Sequence, residues 1–136
     1  MEFNINSIKQ SIGESRTKES ALKCIKILME TCSDTEVEIN KEYYVSEWSW
    51  EPICDGNFPC VQTIRFRKSV NGIDAYATGT SHRTYFAWDL FEEENECKEM
   101  CEFKNSFGYN WERAISNFRE QKGIPWDFER CFEIAP

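Results

Sequence analysis

Val61-Gln62-Thr63-Ile64-Arg65-Phe66-Arg67-Lys68-Ser69-Val70-Asn71-Gly72-Ile73-Asp74-Ala75-Tyr76-Ala77-Thr78-Gly79-Thr80 contains two extended runs that meet at Asn71-Gly72. An Asn-Gly pair between alternating segments is the strongest short-range signal for a two-residue β-hairpin loop, because both loop positions need positive φ. With that pair in the loop, Val70 meets Ile73, Lys68 meets Ala75, Phe66 meets Ala77 and Ile64 meets Gly79. One face is then almost wholly apolar, and Ile64, Phe66, Val70, Ile73 and Ala77 are expected to face a core. The other face collects Ser69 with Asp74, Arg67 with Tyr76, Arg65 with Thr78 and Thr63 with Thr80. A slip by one residue would destroy this sorting.

Outward from the hairpin, Glu36 to Trp50 reads as a strand, with Val37, Ile39, Tyr43 and Val45 in one parity and Trp48 and Trp50 in the other. A bulge near Ser46 accounts for the change. Glu51 to Cys60 has the densest turn composition and is expected to be a loop. His82 to Leu90 reads as a fourth strand with Thr84, Phe86, Trp88 and Leu90 on one side. Ahead of the sheet, Ala21, Cys24, Ile25, Leu28 and Cys32 repeat at helical spacing behind a cap at Ser15 or Thr17. Behind it lies an acidic helix with a thin stripe of Cys97, Met100 and Cys101. A clearer helix follows, capped by Asn110, with Trp111, Ala114, Ile115 and Phe118 inward and Gly123 as its stop. The tail from Trp126 to Ile134 is expected to return as an edge strand or clasp. Together these predict a single α+β domain over 1–136, in which an antiparallel sheet of about four or five strands, with the Asn-Gly hairpin at its centre, packs against two or three helices.

The chain has 136 residues, enough to bury a core without disulfides or metal. The formal net charge of −8 disfavours direct nucleic-acid binding and anionic membrane surfaces, and favours a basic protein partner. The start, Met1-Glu2-Phe3-Asn4, carries no basic-then-apolar leader, and no apolar run approaches a membrane span. A cytoplasmic location with reduced thiols is the expectation.

For chemistry, His82 is the sole histidine, which excludes mechanisms needing two. Arg65, Arg67, Tyr76 and His82 could line a polar sheet face for a phosphorylated small molecule or nucleotide, with arginine forks on the phosphate. Cys54, Cys60, Cys97 and Cys101 could in principle meet around zinc. Their spacing departs from the familiar knuckles, so no metal and no cofactor is expected. Between Asp89 and Glu102, seven acids face only Lys98. Glu92, Glu93, Glu94 and Glu96 would steer a basic surface, with Trp48 and Trp50 as aromatic anchors. These features predict a non-catalytic protein-binding module, an inhibitor or immunity-type protein of a basic, possibly nucleic-acid-handling enzyme. The alternative is a small-molecule-binding protein or enzyme built on the Arg/Tyr/His face.

Overall fold

A computed structural model describes residues 5–31, 36–49, 56–79 and 82–133. Trp50, Cys54 and Cys32 lie outside them. In chain order the elements are α1 (Ile5–Ile12), α2 (Lys18–Thr31), β1 (Lys41–Ser49), β2 (Gly56–Val70), β3 (Ile73–Thr78), β4 (Thr84–Tyr85), a 3-10 turn (Ala87–Asp89), α3 (Glu94–Asn105), α4 (Tyr109–Lys122) and α5 (Phe128–Glu133). The arrangement is α+β. The antiparallel sheet has the order β1-β2-β3-β4, which puts the hairpin strands at its centre.

Asn71 and Gly72 turn the hairpin with φ of 51° and 81°, and glycine adopts the second value without a Cβ penalty. Pairing runs from Val70 with Ile73 to Phe66 with Ala77, and then the register shifts. Ile64 pairs with Thr78 rather than Gly79, so Arg65 is the extra residue of a bulge. This corrects the expected single apolar face. Val70 and Ala75 join the helices in the larger core, while Ile64, at 0% exposure, joins Tyr43, Val45, Tyr76, Tyr85 and Leu90 in a second cluster. Phe66 is 42% exposed, only partly covered by Phe128 and Phe132 of α5, whose rings lie 5.4 and 5.3 Å away.

β2 is long enough to serve two partners. Its first half pairs with β1 from Gly56–Ser49 to Ile64–Lys41 in one continuous register, so the bulge expected near Ser46 is not there; the register shift among the described pairs is the one at Arg65, between β2 and β3. Gly56 to Cys60, expected as loop, are strand. The predicted strand His82–Leu90 shrinks to two residues, because the 3-10 turn moves Leu90 to the second cluster while Phe86 and Trp88 enter the first. Past that turn, Phe91 bridges back to Tyr44 through reciprocal backbone hydrogen bonds of 2.9 and 2.7 Å. The sheet therefore curls until its far side meets β1, and the second cluster fills the curl.

The helices α2, α3 and α4 are the three the sequence announces, and α1 and α5 are additional. Thr17 and Ser20 cap α2 reciprocally: Ser20 N–H donates to Thr17 Oγ1, and Thr17 N–H donates to Ser20 Oγ. α4 begins after Gly108 rather than at Asn110, which instead donates its Nδ2–H to the Arg16 carbonyl. Its end is as expected, with Gly123 left-handed at φ 70°. The tail is a clasp with a helix attached: Thr84 N–H donates to the Trp126 carbonyl, Phe128 N–H donates to that of His82, and α5 follows.

Placement of Ile64 and Phe66 on opposite sides of the bulge makes their truncations differ. Ile64→Ala should lose about 2–5 kcal/mol of unfolding free energy. Phe66→Ala, at a half-open site, should cost about 1 kcal/mol, in the range of lost aromatic pairing rather than of core truncation. Urea denaturation of the two variants checks the order; equal losses would return Phe66 to the core.

Candidate functional site

Helical spacing places two cations on stripes that are otherwise apolar. Lys104 follows Cys97 and Cys101 at seven and three residues, and Arg119 follows Ile115 by four, so each points inward with its stripe. Both side chains are buried. They line a cavity of about 50 Å³ whose wall also includes Ser46, Glu47 and Trp48 from β1, Arg83, Tyr85 and Asp89 from the β4 region, and Glu112 and Trp126. That volume holds roughly three or four waters.

The polar groups of the wall are paired closely. Lys104 Nζ donates to Asp89 Oδ2 at 2.9 Å and to Ser46 Oγ at 2.5 Å, and Ser46 Oγ donates to Asp89 Oδ1 at 3.0 Å. The ammonium also sits over the Trp88 and Trp111 rings, 5.4 and 5.7 Å from their centroids. Glu47 accepts from the Tyr85 hydroxyl and forms an ion pair with Arg83 at 3.2 Å. Arg119 is held between the Phe86 and Trp126 rings, with its guanidinium carbon 4.7 and 4.1 Å from their centroids. It donates to Thr84 Oγ1, to the Thr84 carbonyl and to the Pro125 carbonyl.

Burial shapes the charges here. It raises the Glu112 carboxyl above its ordinary value, opposed by the positive charges of Lys104, Arg119 and Arg83. It pushes the Arg119 guanidinium down to about 10, since the fields of Asp89 and Glu112 only partly offset desolvation. Charges of both signs in a small enclosed cavity are an arrangement found at binding and catalytic sites, and also in structural networks.

Of the residues the sequence nominated, Trp48 lies on this wall, and its ring is tilted on that of Tyr109 with centroids 5.7 Å apart. Glu92, Glu93, Glu94 and Glu96 are exposed at the start of α3. Glu92 accepts from Lys41 at 2.8 Å, a bond that lowers its carboxyl pKa, and Glu94 pairs with Lys98 at 2.9 Å. Glu93 and Glu96 make no ion pair among the described residues. Arg65, Arg67, Tyr76 and His82 do not converge. Arg65 donates to Asn40 Oδ1, Arg67 is paired with Asp74 at 2.7 Å, and Tyr76 is buried in the second cluster. His82 stacks on Phe128, 4.8 Å between centroids, with Nδ1 3.3 Å from Glu129. Cys60 borders the second cluster while Cys97 and Cys101 lie in the first, so those thiols do not meet. Among the described residues no group of three metal-ligating side chains forms, and no helix is long and apolar enough to cross a membrane.

Sequence reasoning passed over Glu47, Arg83, Tyr85, Lys104, Glu112 and Arg119, and counted Asp89 in the acidic run, whereas it is turned inward onto Lys104. The available signal was a cation continuing an apolar helical stripe, at Lys104 and at Arg119. No protein-family model, curated protein or solved structure matches the chain.

Glu112 gives the wall a pH signature. A carboxyl whose folded pKa is raised binds its proton more tightly in the native state, so it costs stability as pH rises above its ordinary 4.5. Glu112→Gln should therefore raise the melting temperature at pH 7 and leave it unchanged below about pH 4, where both states are protonated. Thermal melts at the two pH values check this; a loss at pH 7 would show that the ionised carboxylate is needed.

Proposed function

We propose that this chain is a small cytoplasmic protein-binding module, a non-catalytic inhibitor or immunity-type protein that captures a basic enzyme, in particular one that handles nucleic acid. The support is an acidic end and an aromatic end on one side of the molecule. β1 and α3 run side by side: Lys41 at the start of β1 meets Glu92 just before α3, and Ser46 meets Lys104 near the end of α3. Glu93 and Glu96 supply uncompensated charge at the first end, and Glu99 and Glu102 continue it outward along the helix. At the other end the half-buried Trp48 packs, tilted, against the exposed Tyr109. α3 is about 18 Å long at 1.5 Å per residue. A standard partner footprint of about 800 Å² takes in both ends.

The two ends do different physical work. Exposed carboxylates act over a Debye length of about 8–10 Å, so they raise the rate of encounter with a cationic surface. An aromatic pair seated in a pocket of the partner slows departure. The alternative reading, a phosphorylated ligand on Arg65, Arg67, Tyr76 and His82, has the weaker support, because both arginines are engaged locally and Tyr76 is inside.

The test uses immobilised chain, salt elution and mass spectrometry to find a basic partner, followed by kinetics on the purified pair. Reversing Glu92, Glu93, Glu94 and Glu96 to lysine should slow association at least about tenfold and flatten its salt dependence, with dissociation changed less. Trp48→Ala in a folded variant should speed dissociation and cost at least about 2 kcal/mol of binding. Unchanged retention of every partner after charge reversal would overturn the reading.

A further inference from the structure

Arg119 is the one cation of the cavity wall without a carboxylate. Arg83 is paired with Glu47 and Lys104 with Asp89, whereas Arg119 makes no ion pair among the described residues. At 5% exposure it is nearly withdrawn from water, and its Nε has no hydrogen-bond partner among the described residues. A buried donor left unmade costs about 1–3 kcal/mol, and more when it is charged. Neither the apolar rings on its two faces nor the neighbouring carbonyls answer that cost.

The pattern of its bonds says which edge remains. A guanidinium carries five N–H donors. Nη1 uses two, on Thr84 Oγ1 at 2.7 Å and the Pro125 carbonyl at 3.3 Å, and Nη2 uses one, on the Thr84 carbonyl at 2.9 Å. Because Nη1 and Nη2 together grip Thr84, the end of the fork is occupied. The donors left over are Nε–H and the second hydrogen of Nη2, which point the same way along the side of the group. That edge matches the two oxygens of a carboxylate.

From this edge we infer that the cavity between β1, β4, α3 and α4 is a binding site for a small monocarboxylate, held bidentately by Arg119 Nε and Nη2. Charge and size agree with that class. With the Arg83–Glu47 and Lys104–Asp89 pairs each neutral, Arg119 supplies one positive charge, and the wall also holds the Glu112 carboxyl, which burial raises above its ordinary value. A cavity of about 50 Å³ takes the headgroup of a short acid and no more. Arg83 and Trp126 are the exposed residues of its wall, which places the mouth between them. Arg119 Nε has no surface open to water as the side chains stand, so a ligand reaches the free edge only when the wall at this mouth shifts; Trp126, which lies over the guanidinium face at 4.1 Å and stands 43% in water, is the wall residue placed to move.

The test titrates the full chain with sodium acetate against sodium chloride of equal ionic strength. The readouts are tryptophan fluorescence and the Arg119 Nε–H resonance in nitrogen-correlated NMR. Acetate should move that resonance and change the fluorescence saturably, and chloride should do neither. Arg119→Lys keeps the charge but removes the fork, and should weaken acetate at least about tenfold. Should that variant fail to fold, the wild-type Nε–H resonance alone decides. A resonance that acetate leaves unmoved, or that chloride moves equally, overturns the site and returns the cavity to buried water. A response to inorganic phosphate without one to acetate overturns the ligand class, and undiminished acetate binding in a folded Arg119→Lys overturns the role of Arg119. None of these outcomes bears on the acidic end of α3, so the site and the proposed partner binding stand or fall separately.

Discussion

The register break in β2 is the constraint on which the remaining architecture rests. A strand of 15 residues with one unbroken alternation would present one face to the helices along its whole length. Inserting Arg65 between the two pairing zones re-aims everything before it, so Ile64 and Val70 serve different cores although their spacing of six positions would put them on one face of an unbroken strand. Past β4 and the 3-10 turn the chain returns and bridges Tyr44 of β1 through Phe91. Without the curl the second cluster would have no enclosure, and Tyr43, Tyr76 and Tyr85 would stand on an open sheet face.

Closing the curl brings charge inside with it. The Lys104–Asp89 pair, joined by Ser46, ties the last turn of α3 to β1 and to the 3-10 turn. A buried pair of this kind adds little net stability against an apolar replacement of the same volume, but breaking it by removing one partner typically costs 3–5 kcal/mol. It therefore disfavours other packings of these three elements more than it deepens the native one. Arg119 uses the same logic on the far side of the cavity, where its bonds to Thr84 and Pro125 hold the 126–128 clasp against β4.

The hairpin was legible because Asn71-Gly72 reports a local requirement, and the stripe of α4 because Trp111, Ala114, Ile115 and Phe118 repeat at one period. The bulge was not. Arg65 is polar and exposed, so alternation through it reads identically whether or not one residue is skipped, and only the paired strand tells the difference. His82 to Leu90 misled for the opposite reason: both Thr84 and Tyr85 are buried, and a segment apolar on both sides carries no parity. Legibility of the site was poorer still. Glu47, Asp89 and Glu112 are ordinary acids in sequence, and only a fold that joins residues 46–48, 83–89 and 104–119 makes them neighbours.

The acidic exterior and the buried arginine impose opposite demands on whatever approaches. A net charge of −8 attracts a basic protein from a distance and repels a carboxylate until the ligand is inside the mouth at Arg83 and Trp126. Screening acts mainly on that outer field, because charges separated by more than about 8–10 Å of water are largely masked at physiological salt while contacts within the cavity are not. Added salt should consequently slow capture of a basic partner and leave acetate binding unchanged or slightly favoured, provided the anion of the added salt is too large for the cavity. The signs differ because one interaction uses the whole surface and the other uses a single fork behind it. Association kinetics for the partner and fluorescence titration for acetate, measured over the same salt range, separate the two; a parallel decline would mean that the carboxylate binds at an exposed cation and not at Arg119.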